Sequence, residues 1–328
     1  MRNEKFMKKK SLYWQIPFLL LLIVGTWFIA RQQRAASEPA GYQHDEGFVF
    51  GTVYSITYQS DTNLKDEMES ALAEVDGEFS MFNEKSTVAA INRGEHPQRS
   101  KMFEEVYALA QQVTADTDGA FDITVAPLVN AWGFGFKNEQ MPTPEQVDSL
   151  LKIRSQMDFS AIAKGYGCDV VARTLEEHGI RNYMVEIGGE VVTRGHNPKD
   201  DLWKIGVTKP TDDSLSTENE LQTVLAVGDV AMATSGNYRK FYYKGGRKYA
   251  HTIDPRTGYP VQHEVLSATV LSDRCAVADA YATSFMVLGL EQAKAVLSRH
   301  PEMKGYFIYT DSVGALAVWH SEGLNIND

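Results

Sequence analysis

The run from Cys275 to Phe285, CAVADAYATSF, limits the fold of this chain more than any other segment. It is small and apolar apart from Asp279 and, four positions on, Thr283. Residues i and i+4 share one helix face, so a helix here is apolar almost all round and presents a carboxylate and a hydroxyl side by side. Such a helix has to be buried. A buried carboxylate is costly unless it is paired, hydrogen-bonded or bound to a metal. Just upstream, His251 to Pro260 reads HTIDPRTGYP, an imidazole and a carboxylate beside a Pro/Gly turn. Together the two segments predict a hard-cation site next to a catalytic histidine.

The 328 residues suffice for one large domain or two ordinary ones. A hydrophobic share of 43% with 23% charged residues is that of a globular protein. The formal net charge of -11 is unevenly spread. In residues 1 to 34, Arg2, Lys5, Lys8, Lys9, Lys10, Arg31 and Arg34 outnumber Glu4, so the rest is more acidic than the total. An acidic body argues against nonspecific nucleic-acid binding, which needs Lys and Arg to neutralise phosphates. It would also be repelled by an anionic membrane surface. Cys168 and Cys275 are too few for a disulfide framework or a cysteine-based zinc site. One structural disulfide or two buried free thiols remain, and the second is the expectation.

Residues 1 to 34 read as a targeting segment. A basic start precedes a largely apolar run from Leu12 to Ala30, 19 residues long, against the ~20 needed to cross a bilayer as a helix. Either a cleaved signal or an uncleaved anchor has this pattern. Tyr13, Trp14 and Trp27 near the ends of the run resemble interface anchors. Arg31 and Arg34 stand where a small-residue cleavage site would be expected, which favours the anchor. No cysteine follows the run, which argues against a lipid anchor. The stronger basic cluster lies upstream, so the start should stay in the cytoplasm and the body be exported. Residues 35–47 read as a linker and 48–328 as the exported body.

Within the body, FVFGTVYSITY (Phe48 to Tyr58) is aromatic and β-branched, predicting a strand. Helical spacing of apolar residues marks 64–79 and Lys101 to Thr117. Residues 144–157 are expected to be helical with Pro144 at the start. An amphipathic helix after the Lys164-Gly165 pair should end at Gly179, followed by a strand from Asn182 to Ile187. Strands at 200–210 and 221–234, a hairpin from Ser235 to Tyr249, a helix from Glu291 to Ser298 and two closing strands complete the pattern. Strands and helices interleave without regular βαβ alternation, so the fold class is α+β.

Two further segments carry chemistry. GAFDITVAPLVNAWGFG (Gly119 to Gly135) sets Asp122 among aromatic and β-branched residues and closes on glycines that permit tight turns or close approach to a flat ligand. A plain loop packed over the core fits it equally. DFSAIAKGYGCD (Asp158 to Asp169) brings Lys164 to a helix start, where backbone amides favour anions. Neither a Walker A loop nor a dinucleotide fingerprint is present, and Lys164 is suited to a phosphate or to a salt bridge.

These two segments, with YMVEIGGEV, HTIDPRTGYP and the CAVADAYAT run, occur in the order typical of a known family. From Phe48 onward the chain resembles the ApbE-type FAD:protein FMN transferases. The resemblance implies an α+β fold of mixed or antiparallel sheets with packed helices, related to the T-fold. It also implies FAD as substrate, Mg2+ as cofactor, and transfer of FMN to a threonine hydroxyl of an acceptor protein with release of AMP. By the matching motifs, Asp279, Thr283 and the Ala161 carbonyl would hold magnesium and His251 would sit at the catalytic position. Ala120, Phe121, Asp122, Asp158, Lys164 and Ile253 would line the FAD site. Phe50 stands where the family often has methionine and Phe82 where it often has tyrosine, both toward the flavin. The implied acceptor is a redox-pump or electron-transfer subunit, and the implied location is the extracytoplasmic side of a bacterial inner membrane. FAD hydrolysis to FMN and AMP, or flavin binding without catalysis, are the competing readings.

The residue types suit that chemistry. Magnesium takes oxygen ligands, few of them carboxylates, and fills the remaining positions with phosphate oxygens and water. A threonine hydroxyl is too weakly acidic to attack unaided, and histidine titrates near neutral pH, so it can take the proton.

Overall fold

The chain enters its main sheet earlier than its composition suggests. The computed structural model describes residues 40–134, 141–153, 156–210, 221–237, 241–244 and 247–327. Strand β1 (Tyr42–Val49) pairs antiparallel with β2 (Thr52–Gln59). Phe50 and Gly51 turn the chain between them with φ of 52° and 76°, the two positive values that a tight hairpin turn needs. β1 begins inside the stretch expected to be linker. Its polar residues hid it, since among Gln43, His44, Asp45 and Glu46 only Asp45 is buried. Asp45 accepts hydrogen bonds from the Tyr58 hydroxyl at 2.8 Å and from Asn63 Nδ2 at 3.1 Å.

The helices that follow are α1 (Lys65–Phe79), α2 (Thr87–Asn92), α3 (Lys101–Asp116), α4 (Ala126–Ala131), α5 (Pro144–Leu150) and α6 (Ala163–Glu177). Strands β3 (Tyr183–Ile187), β4 (Glu190–Arg194), β5 (Trp203–Thr208), β6 (Leu221–Val227), β7 (Val230–Gly236), β8 (Phe241–Lys244), β9 (Arg247–Ala250) and β10 (Val265–Ser272) come next. Then α7 (Cys275–Leu288), α8 (Leu290–Arg299), β11 (Lys304–Thr310), β12 (Leu316–His320) and β13 (Ile326–Asn327) close the chain.

Eight strands form one sheet in the order β1-β2-β3-β4-β7-β10-β11-β12, with every neighbour antiparallel. A three-stranded sheet, β13-β6-β5, and the β8-β9 hairpin stand apart from it. Side chains alternate across a strand, and both faces of the large sheet are used. On one face Val192, Ala231, Ala233, Val270 and Phe307 pack with residues of α1, α3, α6 and α7. On the other face Val191, Met232, Leu271 and Ile308 pack against Ile205, Val207 and Leu225 of the small sheet. The result is a helix layer, a large sheet and a small sheet, the α+β class that the irregular alternation predicts. All these elements belong to the compact unit Tyr42–Asp328.

The expected helix at 144–157 is shorter, Pro144–Leu150, opened by a capping box between Thr143 and Gln146. α6 begins before the Lys-Gly pair, so Lys164 and Gly165 lie in its first turn. β4 and β10 were not expected. Seven of the eight β10 residues are buried, which removes the alternation that marks a strand. The apolar run at 12–30 lies outside the described residues. Among the described residues no helix is long and apolar enough to cross a membrane.

Candidate active site

The site is built on the crossing of α6 and α7. A Cβ placed on Gly165 would lie 2.7 Å from the Cys275 carbonyl carbon and 2.8 Å from Asp279 Cβ, so the two helices approach this closely only because Gly165 has no side chain. Each helix then answers the free N–H groups of the other. The Gly165 N–H, in the first turn of α6, donates to Asp279 Oδ2 at 3.0 Å. Asp169 of α6 accepts from Cys275 N at 2.7 Å and Ala276 N at 3.0 Å, the first two residues of α7. A helix start leaves such N–H groups unpaired and favours negative charge. Neither helix has a cap hydrogen bond from its own N-cap side chain. The buried aspartate that singled out this segment is therefore answered by a helix terminus. Arg274, the residue before α7, pairs with Glu105 at 2.6 Å.

Lys164 completes the charge balance. Its ammonium contacts Glu190 Oε1, at the start of β4. Burial opposes the charge on Lys164, but the Asp279 and Glu190 carboxylates outweigh it and hold its pKa above the ordinary lysine value. Burial pushes the Glu190 carboxyl up to about 7, against the pull of the Lys164 ammonium. Asp279 is 2% exposed. Its pKa is also raised by burial, opposed by Lys164 and the Gly165 N–H. One ammonium facing two carboxylates is a site prepared for a further cation.

A second wall comes from two loops joined by a hydrogen bond from Asp158 N to the Ile123 carbonyl at 2.6 Å. Asp122 Oδ1 accepts from the Thr124 N–H and hydroxyl, both at 2.7 Å. Asp158 Oδ1 accepts from Ser160 N at 2.8 Å and from the Ser160 hydroxyl. These turns hold Ala120, Phe121 and Ala161 against the same space.

The third wall is the turn that starts at His251. Thr252 donates to Asn237 Oδ1 at 2.7 Å, and Ile253 bridges Pro260. Asp254 takes a two-pronged contact from Arg256, Nε to Oδ1 at 2.9 Å and Nη2 to Oδ2 at 3.0 Å. Gly258, with φ of 79°, returns the chain and offers its carbonyl to Trp132 Nε1 at 2.8 Å. Trp132, Leu128, Val147 and Ile253 form a satellite core under the turn. The His251 ring meets Phe134 edge-on, with centroids 6.4 Å apart.

These walls enclose a cavity of about 340 Å3. Of the residues expected to act, Ala120, Phe121, Asp122, Asp158, Ala161, Lys164, His251, Ile253, Asp279 and Thr283 all line it. Phe50 and Phe82 do not. Phe50 sits at the β1–β2 turn with its ring over Gly167, and Phe82 is 77% exposed on the loop after α1. Glu190 and Ser235 line the cavity without having been expected there. Glu190 lies inside the YMVEIGGEV motif, so its signal was present but without an assigned role.

The donor set fits magnesium in kind. Asp279 spends one carboxylate oxygen on Gly165, and no hydrogen bond reaches the other among the described residues. The Thr283 hydroxyl lies 3.0 Å from Ser235 Oγ. By donating to that serine it would turn its lone pairs toward an ion. No group of three or more His, Cys, Asp or Glu able to hold a metal occurs among the described residues. The fit therefore rests on oxygens of mixed type, as suits a hard cation completed by its ligand. Both cysteines are free and buried, with hydrogen bonds from Cys168 Sγ to the Glu190 carbonyl and from Cys275 Sγ to the Met232 carbonyl.

Residues 50–307 match the ApbE family. The chain belongs to that family. It is 34% identical over 301 residues to the FAD:protein FMN transferase of Haemophilus influenzae, covering 81% of this chain and 86% of that protein. The FAD:protein FMN transferase of Vibrio cholerae is 35% identical over 288 residues, covering 79% of this chain and 85% of that protein. Among solved structures, the flavin transferase ApbE from Vibrio cholerae aligns with a TM-score of 0.76 at 33% identity, over 87% of this chain and 98% of that one. The apo flavinyl transferase ApbE from Pseudomonas stutzeri aligns with a TM-score of 0.75 at 28% identity, over 87% of this chain and 96% of that one. Every cavity residue named above falls within the span that matches the ApbE family.

Proposed function

We propose that this protein is an FAD:protein FMN transferase that moves the FMN half of FAD onto a threonine hydroxyl of an acceptor protein and releases AMP. One observation carries this reading. Four distant segments of an ApbE-family chain converge on a single cavity with an imidazole, an ammonium and a hydroxyl–carboxylate pair.

In this reading Asp279, Thr283 and the Ala161 carbonyl hold magnesium. An ion held there would neutralise charge on the pyrophosphate and ease departure of AMP. Lys164 supplies a fixed positive charge to the same phosphates. Ala120, Phe121, Asp122, Asp158 and Ile253 shape the walls against the rest of the nucleotide. Phe50 and Phe82 carry no role in it. His251 takes the proton of the acceptor hydroxyl as its oxygen forms a bond to the FMN phosphorus. The bond from that phosphorus to the bridging oxygen breaks, and its electron pair leaves on AMP. The proton ends on His251, which lines the same cavity as the helix crossing.

The test is to incubate the full chain with FAD, Mg2+ and an exported electron-transfer subunit from the same cell. The expected result is an FMN mass gain on a threonine with one AMP released per adduct. Turnover of FAD to FMN and AMP without an adduct would make it a hydrolase, and no turnover with tight FAD binding would make it a carrier.

The reading extends to location. Residues 1–34 are proposed as a single inner-membrane anchor that leaves the 48–328 body outside the cytoplasm, supported by the basic start and the apolar run. Protease added to spheroplasts should remove the body. Protection of the body until the membrane is lysed would overturn this orientation.

A further inference from the structure

Among the described residues, Glu190 is the one carboxylate in the cavity lining that neither the family resemblance nor the residue pattern assigned a part. It opens β4 immediately after Gly188 and Gly189 and is 3% exposed. Its backbone is tied to α6 by the Cys168 thiol, which donates to the Glu190 carbonyl at 3.3 Å. Its Oε1 receives the Lys164 ammonium. Its Oε2 is buried and has no hydrogen-bond partner among the described residues. An ionised carboxylate only accepts, and a buried one with an empty oxygen is an expensive arrangement that native folds rarely keep without a use.

We propose that Glu190 is a ligand-binding residue of this site, its Oε2 receiving an O–H donor that arrives with the nucleotide and its cation. The proposal rests on the function proposed above. Two sources carry that chemistry. A magnesium-class ion keeps several of its waters when it binds, and acceptors behind the direct ligands orient such waters. The ribityl and ribose chains of FAD carry hydroxyls. Position favours a donor near the phosphates, because the same carboxylate group holds Lys164 and feels the charge of Asp279. Holding Lys164 leaves Oε2 as the only oxygen of this side chain for the ligand, so the two tasks do not compete.

Glu190→Gln is a sharp probe. Lys164 still demands an oxygen, so the amide nitrogen of glutamine occupies the Oε2 position and meets the incoming donor with a donor. The full chain is titrated with Mn2+ alone, followed by electron paramagnetic resonance of the free ion, and with FAD in excess EDTA, followed by flavin fluorescence. Loss of about tenfold or more in Mn2+ affinity identifies a metal-bound water, and a like loss in FAD affinity identifies a nucleotide hydroxyl. Both affinities within about twofold of wild type would overturn the proposal. Were Glu190→Gln to melt more than about 5 °C below wild type, Glu190→Asp is measured in its place. Aspartate keeps the charge and withdraws the oxygens by one methylene, and unchanged affinities in that variant also overturn the proposal. Wild-type protein that binds neither Mn2+ nor FAD, alone or together, would instead remove the parent reading, a failure distinct from an unchanged variant.

Discussion

The helix crossing and the His251 turn line one cavity and are built on opposite principles. At the crossing, α6 and α7 meet at Gly165, each supplying an aspartate to the other's start, and both aspartates are buried. The turn runs from residue 251 to 260 over a small satellite core, held by an ion pair, one bridge and the Trp132 hydrogen bond, with Arg256, Thr257 and Tyr259 exposed. Groups that must hold charge in place sit on packed helices. The group proposed to move a proton sits on a turn, over a satellite core separate from the main one. Damage to the two regions should therefore read out differently, as rate on one side and as stability on the other.

The sharpest break is His251→Ala. If the turn supplies the base, flavin transfer falls by about 10²–10⁴-fold in turnover. FAD affinity and melting temperature should stay near wild type, because the His251 ring is only half-buried, edge-on to Phe134. A calorimetric scan and a single-turnover assay on the same sample decide it. A loss of stability as large as the loss of rate would erase the contrast between the regions.

The crossing should respond to pH through its buried carboxyls. Glu190 is held at about 7 against an ordinary 4.5, and Asp279 and Asp169 are raised as well, all first by burial. A carboxyl whose pKa is higher in the folded state binds its proton more tightly there. Its stabilising contribution is full below the unfolded pKa and is lost as pH rises through the folded one. Ligand-free protein should therefore lose stability between about pH 4.5 and 7, by roughly 3 kcal/mol at most from Glu190. Urea melts at stepped pH measure this, with Glu190→Gln expected to flatten the slope. Stability that rises over that window would mean the carboxylates are better satisfied than their burial indicates.

Much of this division was legible in the chain. The i, i+4 pair of Asp279 and Thr283 in an apolar run announced a buried helix, and the structure has it. The amphipathic helices α1 and α3 followed from spacing alone, because each buries one face. What stayed hidden depended on partners remote in sequence. No local pattern says that Asp169 serves a helix more than a hundred residues away, or that Lys164 meets Glu190 across a strand start. β1 escaped because its edge position lets it be polar, and β10 because its burial is nearly continuous. Phe50 went toward the flavin on resemblance, whereas the turn it occupies directs its ring over Gly167.

Gly165→Ala tests the crossing by one methyl group. Its Cβ would press on the Cys275 carbonyl and on Asp279, so the helices must part. Overpacking of this kind typically costs about 1–3 kcal/mol, a fall of roughly 2–4 °C in melting temperature for each kcal/mol at this size. Because the Gly165 N–H is also what answers Asp279, metal-dependent activity should fall with stability. A variant that loses activity with no change in melting temperature would show that Gly165 serves only the site.

Arg256→Ala is the mildest test and the one that defines the turn. The Asp254–Arg256 pair is two-pronged, but Arg256 is exposed, and exposed ion pairs are worth about 0.2–1 kcal/mol. Asp254 keeps its backbone bonds to Tyr259 and Gly258 when the guanidinium is gone, with its own carbonyl 2.8 Å from Gly258 N. Melting temperature should therefore barely move, and turnover should fall by less than about tenfold, the equivalent of about 1.4 kcal/mol in the barrier. A larger fall in turnover with unchanged FAD affinity would mean that His251 is oriented through the ion pair. The turn would then hold its base as rigidly as the crossing holds its charges, and the contrast between the two regions would reduce to one of burial.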